Sequence, residues 1–331
     1  MQDVADEANV SVATVSRVLN ESDSVREATK ERVLQAARSL DYLINESARS
    51  LREQKTRTIG VLLPNVHGEF FAEVSMGLDR RARKNGHHLL MSNSHTEEAE
   101  VESVIRSLLG RVDGLVLLWP RLDIEFLEDL VPASLPVMLL NTTASASRFH
   151  TLSFDNRAGA YTAVQHLAEH GHERVAILSG GPVNFDAQER LAGYRNAVQD
   201  FGLVADSALE LEGNFTRESG HAAVDRMLDL DPVPTALFAS NDSMALGALR
   251  RFHETGRAVP EDVAVVGFDD IPTTRFATPS LSTVHVPMQE LGERAMQRLL
   301  DVLQNDGPPP SHQTLDTRLI RRESCGCSST E

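Results

Sequence analysis

Seven side chains in this sequence could grip a small molecule rich in hydroxyls: Phe70, Phe71, Asp155, Arg190, Phe215, Asn241 and Asp269. A guanidinium offers paired donors, an ionised carboxylate only accepts, an amide does both, and phenyl rings cover apolar faces. Arg190 can only donate and Asp269 can only accept, so this pair suits adjacent hydroxyls gripped from opposite sides. Each residue also has a plainer reading. Asp155, Asn241 or the neighbouring Asp242 could cap a helix, and Phe70 and Phe71 could belong to a core. The weight lies in their shared placement.

That placement comes from alternating elements. Thr58–Leu63, His88–Ser92, Gly114–Leu118, Pro136–Leu140 and Thr151–Phe154 are short runs rich in Val, Ile and Leu. Helical patterns separate the first four at about 70–85, 97–110 and 123–131. A second set follows: Arg174–Ser179, Leu209–Glu212, Thr235–Ala239 and Ala264–Phe268, with helices near 156–170, 187–201, 216–229 and 241–256. A helix near 287–304 and a strand near 313–321 close the series. Alternation with short connections predicts parallel sheets with right-handed crossovers. Two sets predict two similar doubly wound lobes with a cleft between them. Ligands of such sheets lie outside the carboxyl ends of the strands, where the seven residues fall.

A second chemistry sits near the start. Laid on a helix, residues 12–20 place Val15, Val18 and Leu19 on one side and Ala13, Ser16, Arg17 and Asn20 on the other. Ser11 stands at the N-cap position. Before it, Val4, Ala5 and Ala8 form another short apolar pattern, ended by Asn9, a residue tolerant of positive φ. Two short helices with a tight turn predict a helix-turn-helix, the second helix lying in the DNA major groove. A third helix over about 26–40 carries Val33, Leu34, Ala37 and Leu40.

Composition narrows the classes. The chain has 331 residues with 41% hydrophobic and 24% charged side chains, an ordinary globular balance for two to three domains. Its longest apolar runs, such as Gly114–Trp119, fall far short of a membrane helix of ~18 residues. Asp3, Asp6 and Glu7 replace the apolar core of a signal peptide, so a cytoplasmic protein without membrane association is expected. Net charge is −16, yet residues 1–58 carry nine Lys/Arg against ten Asp/Glu. DNA contact there must rest on the placement of Arg17, Arg26, Lys30, Arg32, Arg49 and Arg52. Phosphate loops, nucleophile elbows and H-E-x-x-H motifs are absent, and Pro182 spoils Gly180-Gly181 as a dinucleotide fingerprint. No catalytic residue, metal or cofactor is expected. His166, His170 and His172 lack a thiol or acidic partner close in sequence and read as a solvated helix end. Cys325 and Cys327, one residue apart, read as free thiols on a loose tail over 325–331.

The run Asp3-Val4-Ala5, Val10-Ser11 and Thr14-Val15-Ser16-Arg17-Val18-Leu19-Asn20 resembles the DNA-binding head of the lactose-repressor (LacI) family of bacterial regulators. The likeness continues through Thr29–Val33, Ala48-Arg49-Ser50-Leu51-Arg52 and Thr56–Val61. It returns in Arg190–Tyr194, Asn241–Gly247 and Val265–Asp270, and spans about residues 2–324. Asn9 replaces the family's usual turn Gly, Ile44 its Pro before the hinge, and His67-Gly68-Glu69 a common Ser-Asn-Pro turn; the usual capping Thr before the first helix is missing.

The resemblance implies an all-α helix-turn-helix head over 1–44, a hinge over 45–57, and an α/β, periplasmic-binding-protein-like body over 58–324. Lobe 1 would take about 58–154 plus 286–316, and lobe 2 about 155–285 plus 317–324. It implies operator contacts from Ser11, Val12, Ala13, Thr14, Ser16, Arg17 and Asn20. Asn45, Ala48 and Leu51 would add contacts from a hinge helix that orders on DNA, Leu51 wedging into the minor groove. Arg190, Asn241 and Asp269 match the family's effector contacts. The expected protein is a homodimeric repressor of carbohydrate or nucleoside utilisation genes, binding double-stranded operator DNA under control of a small effector. An enzyme would need a motif that is missing; an exported sugar-binding protein would not carry the head.

Overall fold

The structure is a computed structural model describing residues 1–19, 25–40, 42, 55–64, 68–93, 98–119, 123–142, 148–304 and 309–327. The chain divides after Thr56 into two compact units.

The first unit contains α1 (Gln2–Glu7), α2 (Val12–Leu19) and α3 (Glu27–Ser39). The turn between α1 and α2 is made by Asn9 at φ 50°, with Asn9 N–H donating to Asp6 O and Val10 N–H to Ala5 O. The Arg32 guanidinium reaches back to Ala8 O at 3.0 Å, satisfying a carbonyl at the end of α1. Val4, Ala5, Ala8, Val15, Val18, Val33, Ala36 and Ala37 form the core. Leu19 packs against it half-buried, and Leu40, expected on the apolar face, is 43% exposed just past the end of α3. A core of small side chains such as these stabilises a unit of this size only marginally.

The second unit has two six-stranded sheets. Lobe 1 uses β1 (Thr58–Leu63), β2 (His88–Asn93), β3 (Gly114–Leu118), β4 (Val137–Leu140), β5 (His150–Phe154) and β11 (His312–Leu315) in the order β11-β5-β4-β3-β1-β2. Lobe 2 uses β6 (Val175–Ser179), β7 (Glu210–Glu212), β8 (Ala236–Ala239), β9 (Ala264–Asp269), β10 (Ser282–His285) and β12 (Arg318–Ile320) in the order β12-β10-β9-β8-β6-β7. All pairings are parallel except β12 on β10. The single strand expected near 313–321 is therefore two strands, one in each sheet. The chain changes lobe at Asp316-Thr317, where the Thr317 hydroxyl donates to Asp155 O at 3.3 Å.

The helices are α4 (Glu69–Lys84), α5 (Glu98–Leu108), α6 (Ile124–Leu130), α7 (Asn156–Glu169), α8 (Phe185–Asp200), α9 (Arg217–Leu228), α10 (Asp242–Glu254) and α11 (Met288–Leu303). Central strands such as β3, β5 and β9 are buried along their whole length, as strands covered on both faces by helices must be. One apolar cluster runs from Ile59 and Leu140 through Phe154 and Val164 to Val266 and Phe268. α4 and α11 pack with their backbones almost touching: a Cβ on Gly77 would lie 2.1 Å from Gln289 O. No helix among the described residues is long and apolar enough to cross a membrane.

Candidate functional site

In each sheet the connections reverse direction beside the first strand of the lobe, between β1 and β3 and between β6 and β8. Such switch points open a crevice at the strand ends. In lobe 2 the crevice is lined by Gly180 after β6 and Ser240 and Asn241 after β8. The Phe215 ring lies against the Gly180 backbone, so closely that a Cβ there would stand 2.0 Å from the ring. Phe215 itself is held at φ 66°.

Arg190, on α8, is buried with 3% exposure. Its Nε donates to Asn156 Oδ1 at 2.8 Å, one terminal nitrogen donates to Ser240 O, and its guanidinium carbon stands 3.8 Å above the Phe268 ring centre. Nη1 lies 3.4 Å from Asp269 Oδ1, an ion-pair distance without a well-formed hydrogen bond. Arg190 and Asp269 thus stand side by side, and the expectation that they would grip a ligand from opposite sides is corrected. Both sit on lobe 2, Arg190 in the first half of α8 and Asp269 at the end of β9.

Around this pair runs a polar chain. Asn156 Nδ2 donates to Asp186 Oδ1 at 2.8 Å, and Asn141 Nδ2, from the end of β4 in lobe 1, donates to Asp186 Oδ2 at 3.3 Å. Burial raises the Asp186 carboxyl, opposed by Arg190 and both amides. Burial pushes Asp269 up to about 7 against the pull of Arg190, with Asp186 adding to the rise. Asn141 Oδ1, Ser240 Oγ and Asp269 Oδ1 are buried without a hydrogen-bond partner among the described residues. Three unmet polar atoms along one network are costly unless another molecule satisfies them.

Backbone strain concentrates at the same place. Asp269 and Asp270 have φ 116° and 59°, in succession. The two carboxylates differ in environment. Asp270 accepts from Arg322 Nη2 at 2.6 Å and pairs with His285 Nδ1 at 2.9 Å. Burial opposes its ionisation, but these partners hold it below the usual range. Asp242, also buried, takes Ile271 N–H at 2.9 Å and the Thr283 hydroxyl, fixing the loop that presents Asp269. Burial, reinforced by Asp269, raises it well above the ordinary value.

The lobes also meet at Glu69, the first residue of α4. Its carboxylate accepts from Thr273 N at 2.9 Å and from the Thr273 hydroxyl, and lies 3.8 Å from Arg217.

The remaining sequence-predicted residues take mixed positions. Asp155 caps α7 by accepting from Ala158 N at 2.9 Å. Asn241 caps α10 through Met244 N at 2.9 Å, while its Nδ2 donates to Phe215 O at 3.1 Å. Phe70 and Phe71 are half-buried in an edge-to-face pair at 5.2 Å, and Phe70 meets Phe154 at 6.1 Å. Sequence reasoning missed Asn141, Asn156, Asp186 and Ser240. Asn141 and Ser240 directly follow predicted strands, so the strand-end rule that found Asp155 applied to them equally.

In the head, Ser11 Oγ accepts from Thr14 N at 3.2 Å and lies 2.9 Å from Thr14 Oγ1, capping α2. Ser11, Val12, Ala13 and Arg17 are exposed, Thr14 and Ser16 half-buried. A short capped helix thus presents small side chains and one cation to solvent, the shape that a major groove admits. Asn20, Asn45, Ala48 and Leu51 lie outside the described residues.

Residues 1–45 match the family of bacterial regulatory proteins, lacI family, and residues 164–325 the periplasmic binding protein-like domain. The chain is 36% identical over 329 residues to the HTH-type transcriptional regulator AscG of Escherichia coli (strain K12), covering 98% of this chain and 97% of AscG. It is 35% identical over 325 residues to the transcriptional repressor CytR of the same organism, covering 98% and 95%. Among solved structures, the lac repressor dimer bound to operator and the anti-inducer ONPF superposes with a TM-score of 0.88 at 29% identity, covering 98% of each chain. The transcriptional regulator CelR–cellobiose complex gives 0.76 at 33% identity, again covering 98% of each. With relatives matched along nearly their whole length, this chain belongs to the LacI family of bacterial transcription regulators.

Proposed function

We propose that this protein is a homodimeric repressor whose head binds a near-palindromic operator and whose operator affinity is set by a small polyhydroxylated molecule, of the carbohydrate or nucleoside class, held between its lobes. The observation that carries the ligand assignment is the set of buried atoms without a partner among the described residues, Asn141 Oδ1, Ser240 Oγ and Asp269 Oδ1, on one network with Arg190. Acceptors beside a guanidinium suit hydroxyls that both donate and accept, and Phe215 offers a ring face. CelR, a similar protein, binds cellobiose.

DNA is read by the exposed face of α2, with Ser11, Val12, Ala13, Thr14, Ser16, Arg17 and Asn20 as contacts. Asn45, Ala48 and Leu51 serve as the hinge contribution. One head offers too little surface for tight specific binding, so two-fold symmetry and a two-fold site follow. Exposed apolar side chains support pairing with a second copy: Met76 (50% exposed) and Met91 (42%) on lobe 1, and Phe276 (82%) on lobe 2. A role on DNA supports a cytoplasmic location.

Thermal-shift screening against sugars, sugar phosphates and nucleosides tests the ligand class, followed by gel shift on a selected operator with and without the stabilising compound. A hit that changes operator affinity supports the reading. Absence of any hit across the three classes, or recovery only of asymmetric single half-sites, overturns it.

A further inference from the structure

We propose that His166, His170 and Cys327 form a binding site for a zinc-class divalent metal ion at the C-terminal end of α7, on lobe 2. The ligand atoms of these three residues all lie within 4.8 Å of one another. In the sequence the histidines have no thiol nearby, and Cys327 follows His170 by 157 residues. The fold removes that separation.

His166 and His170 are one helical turn apart, which places both imidazoles on the same helix face. Their ring centres are 4.2 Å apart. Cys327 Sγ lies 3.3 Å from His170 Nε2 and 3.5 Å from His166 Nε2. A tetrahedral zinc ion with Zn–S near 2.3 Å and Zn–N near 2.0–2.1 Å has sulfur–nitrogen edges of about 3.6 Å. Both spacings are therefore within a few tenths of an ångström of those a bound ion requires.

The outer partners fit as well. His170 Nδ1 lies 2.7 Å from His166 O. A carbonyl oxygen can only accept, so Nδ1 carries the proton and Nε2 turns its lone pair toward the sulfur. A backbone carbonyl on the far nitrogen is the usual way a ligating histidine is oriented. His166 is 6% exposed, so its ring does not swing freely in solvent.

Cys327 is not on a loose tail either. Two residues before it, Cys325 is buried at 3% exposure and its thiol donates to Arg322 O at 3.4 Å. The preceding Ser324 donates to Val265 O at 2.6 Å and accepts from Ser282 N at 2.8 Å. These bonds anchor the short helical turn Glu323–Cys325 on the lobe 2 sheet, and Gly326 at φ 81° then turns the chain toward α7.

Two imidazoles and a thiolate, with no carboxylate in the set, favour borderline-soft metals over magnesium or calcium. Binding converts the Cys327 thiol to a metal thiolate and releases its proton to solvent, with no change of oxidation state. Three protein ligands leave a fourth position for water. The ion would pin the segment carrying Arg322, which holds Asp270 next to Asp269. His172 stays outside the set, its Nδ1 meeting Thr235 Oγ1 at 2.9 Å.

The test uses the full chain, stripped with chelator and titrated with cobalt(II), then with zinc to displace it. The expected result is a saturable thiolate-to-cobalt charge-transfer band at one equivalent, lost on zinc addition. Cys327→Ser should abolish the band, and His170→Gln should weaken zinc binding by more than about a hundredfold, beyond what loss of an outer partner costs. His172→Gln should leave both unchanged. His170 is exposed, so His170→Gln remains informative if Cys327→Ser fails to fold. A wild-type protein without the band, a band that survives Cys327→Ser, or zinc affinity unaltered in His170→Gln overturns the proposal.

Discussion

Arg190 and Asp269 form a buried ion pair, 3.4 Å between Nη1 and Oδ1, in which the arginine is held by further hydrogen bonds through Nε and Nη1 while the Asp269 Oδ1 has none among the described residues. Arg190 is also bound by Asn156 Oδ1 and Ser240 O and lies over Phe268. Asp269 Oδ1 has no hydrogen-bond partner among the described residues. The arginine therefore acts as a built-in support, and the carboxylate as the part of the pair still able to accept from a ligand.

This asymmetry separates two substitutions. Arg190→Ala should destabilise the body by about 3–5 kcal/mol, because it strands a buried carboxylate and several acceptors. Asp269→Asn should keep the fold and lose ligand response. Thermal denaturation and calorimetry with the effector check both. Normal ligand affinity in Asp269→Asn would remove that residue from the site.

The raised pKa of Asp269 predicts a pH dependence. An unfolded Asp titrates near 3.9, roughly three units below the folded value of about 7. Between those values the folded state holds a proton that the unfolded chain has lost. Stability from this group is therefore present at low pH and declines as pH rises from about 4 to about 7. Asp186 and Asp242 shift the same way. Ligand hydroxyls that donate to Asp269 favour its ionised form, so effector binding near pH 7 should release a proton. Calorimetry in buffers of different ionisation enthalpy reads this directly, and binding without proton release near pH 7 would contradict it.

Glu69 joins the lobes through Thr273 and Arg217. Glu69→Ala should weaken lobe apposition and lower effector affinity by about tenfold, since hydrogen bonds to charged groups contribute about 1.5–3 kcal/mol. Small-angle scattering and calorimetry on the same variant test it. Unchanged affinity and dimensions would reduce this contact to a surface pairing.

In the head, Ser11→Ala and Arg17→Ala should fail differently. Ser11→Ala removes the α2 cap and should cost about 1 kcal/mol of head stability. Arg17→Ala should leave stability unchanged and weaken DNA binding. If Arg17 meets a guanine, the loss is about 1–3 kcal/mol with relaxed preference at one base pair; if it meets phosphate, the loss is even across sequences. Gel shift at fixed salt with operator and random DNA distinguishes these, and no change on either DNA would return Arg17 to the solvated surface.

Phe276 and Met91 supply a fifth test. Phe276→Glu with Met91→Glu should shift sedimentation from dimer to monomer, because each charge would have to be desolvated in an apolar contact. A dimer that persists would place the interface elsewhere.

The sequence by itself determined most of the elements and their order, the division of the last strand between the two sheets excepted. Val15, Val18 and the Ser11 cap act within one helix, and the apolar runs of β1, β3 and β6 alternate with helical patterns, so neighbours in the chain suffice to specify them. Strand ends could be counted too, which is how Asp155, Phe215, Asn241 and Asp269 were reached. What each strand-end residue does was decided by the tertiary structure. Asn241 spends both ends of its amide on Met244 and Phe215, whereas Ser240, one residue earlier, keeps a hydroxyl without a partner among the described residues. Arg190 adjoins Asp269 because its side chain reaches from α8, which packs on α7 and β6, across the Phe268 ring to the end of β9. His166 meets Cys327 across 161 residues because the turn Glu323–Cys325 brings Cys327 back to α7. Periodicity records the face a residue occupies within its own element; it carries no information about which distant element will cover that face, and the chemistry of both sites arises from that covering.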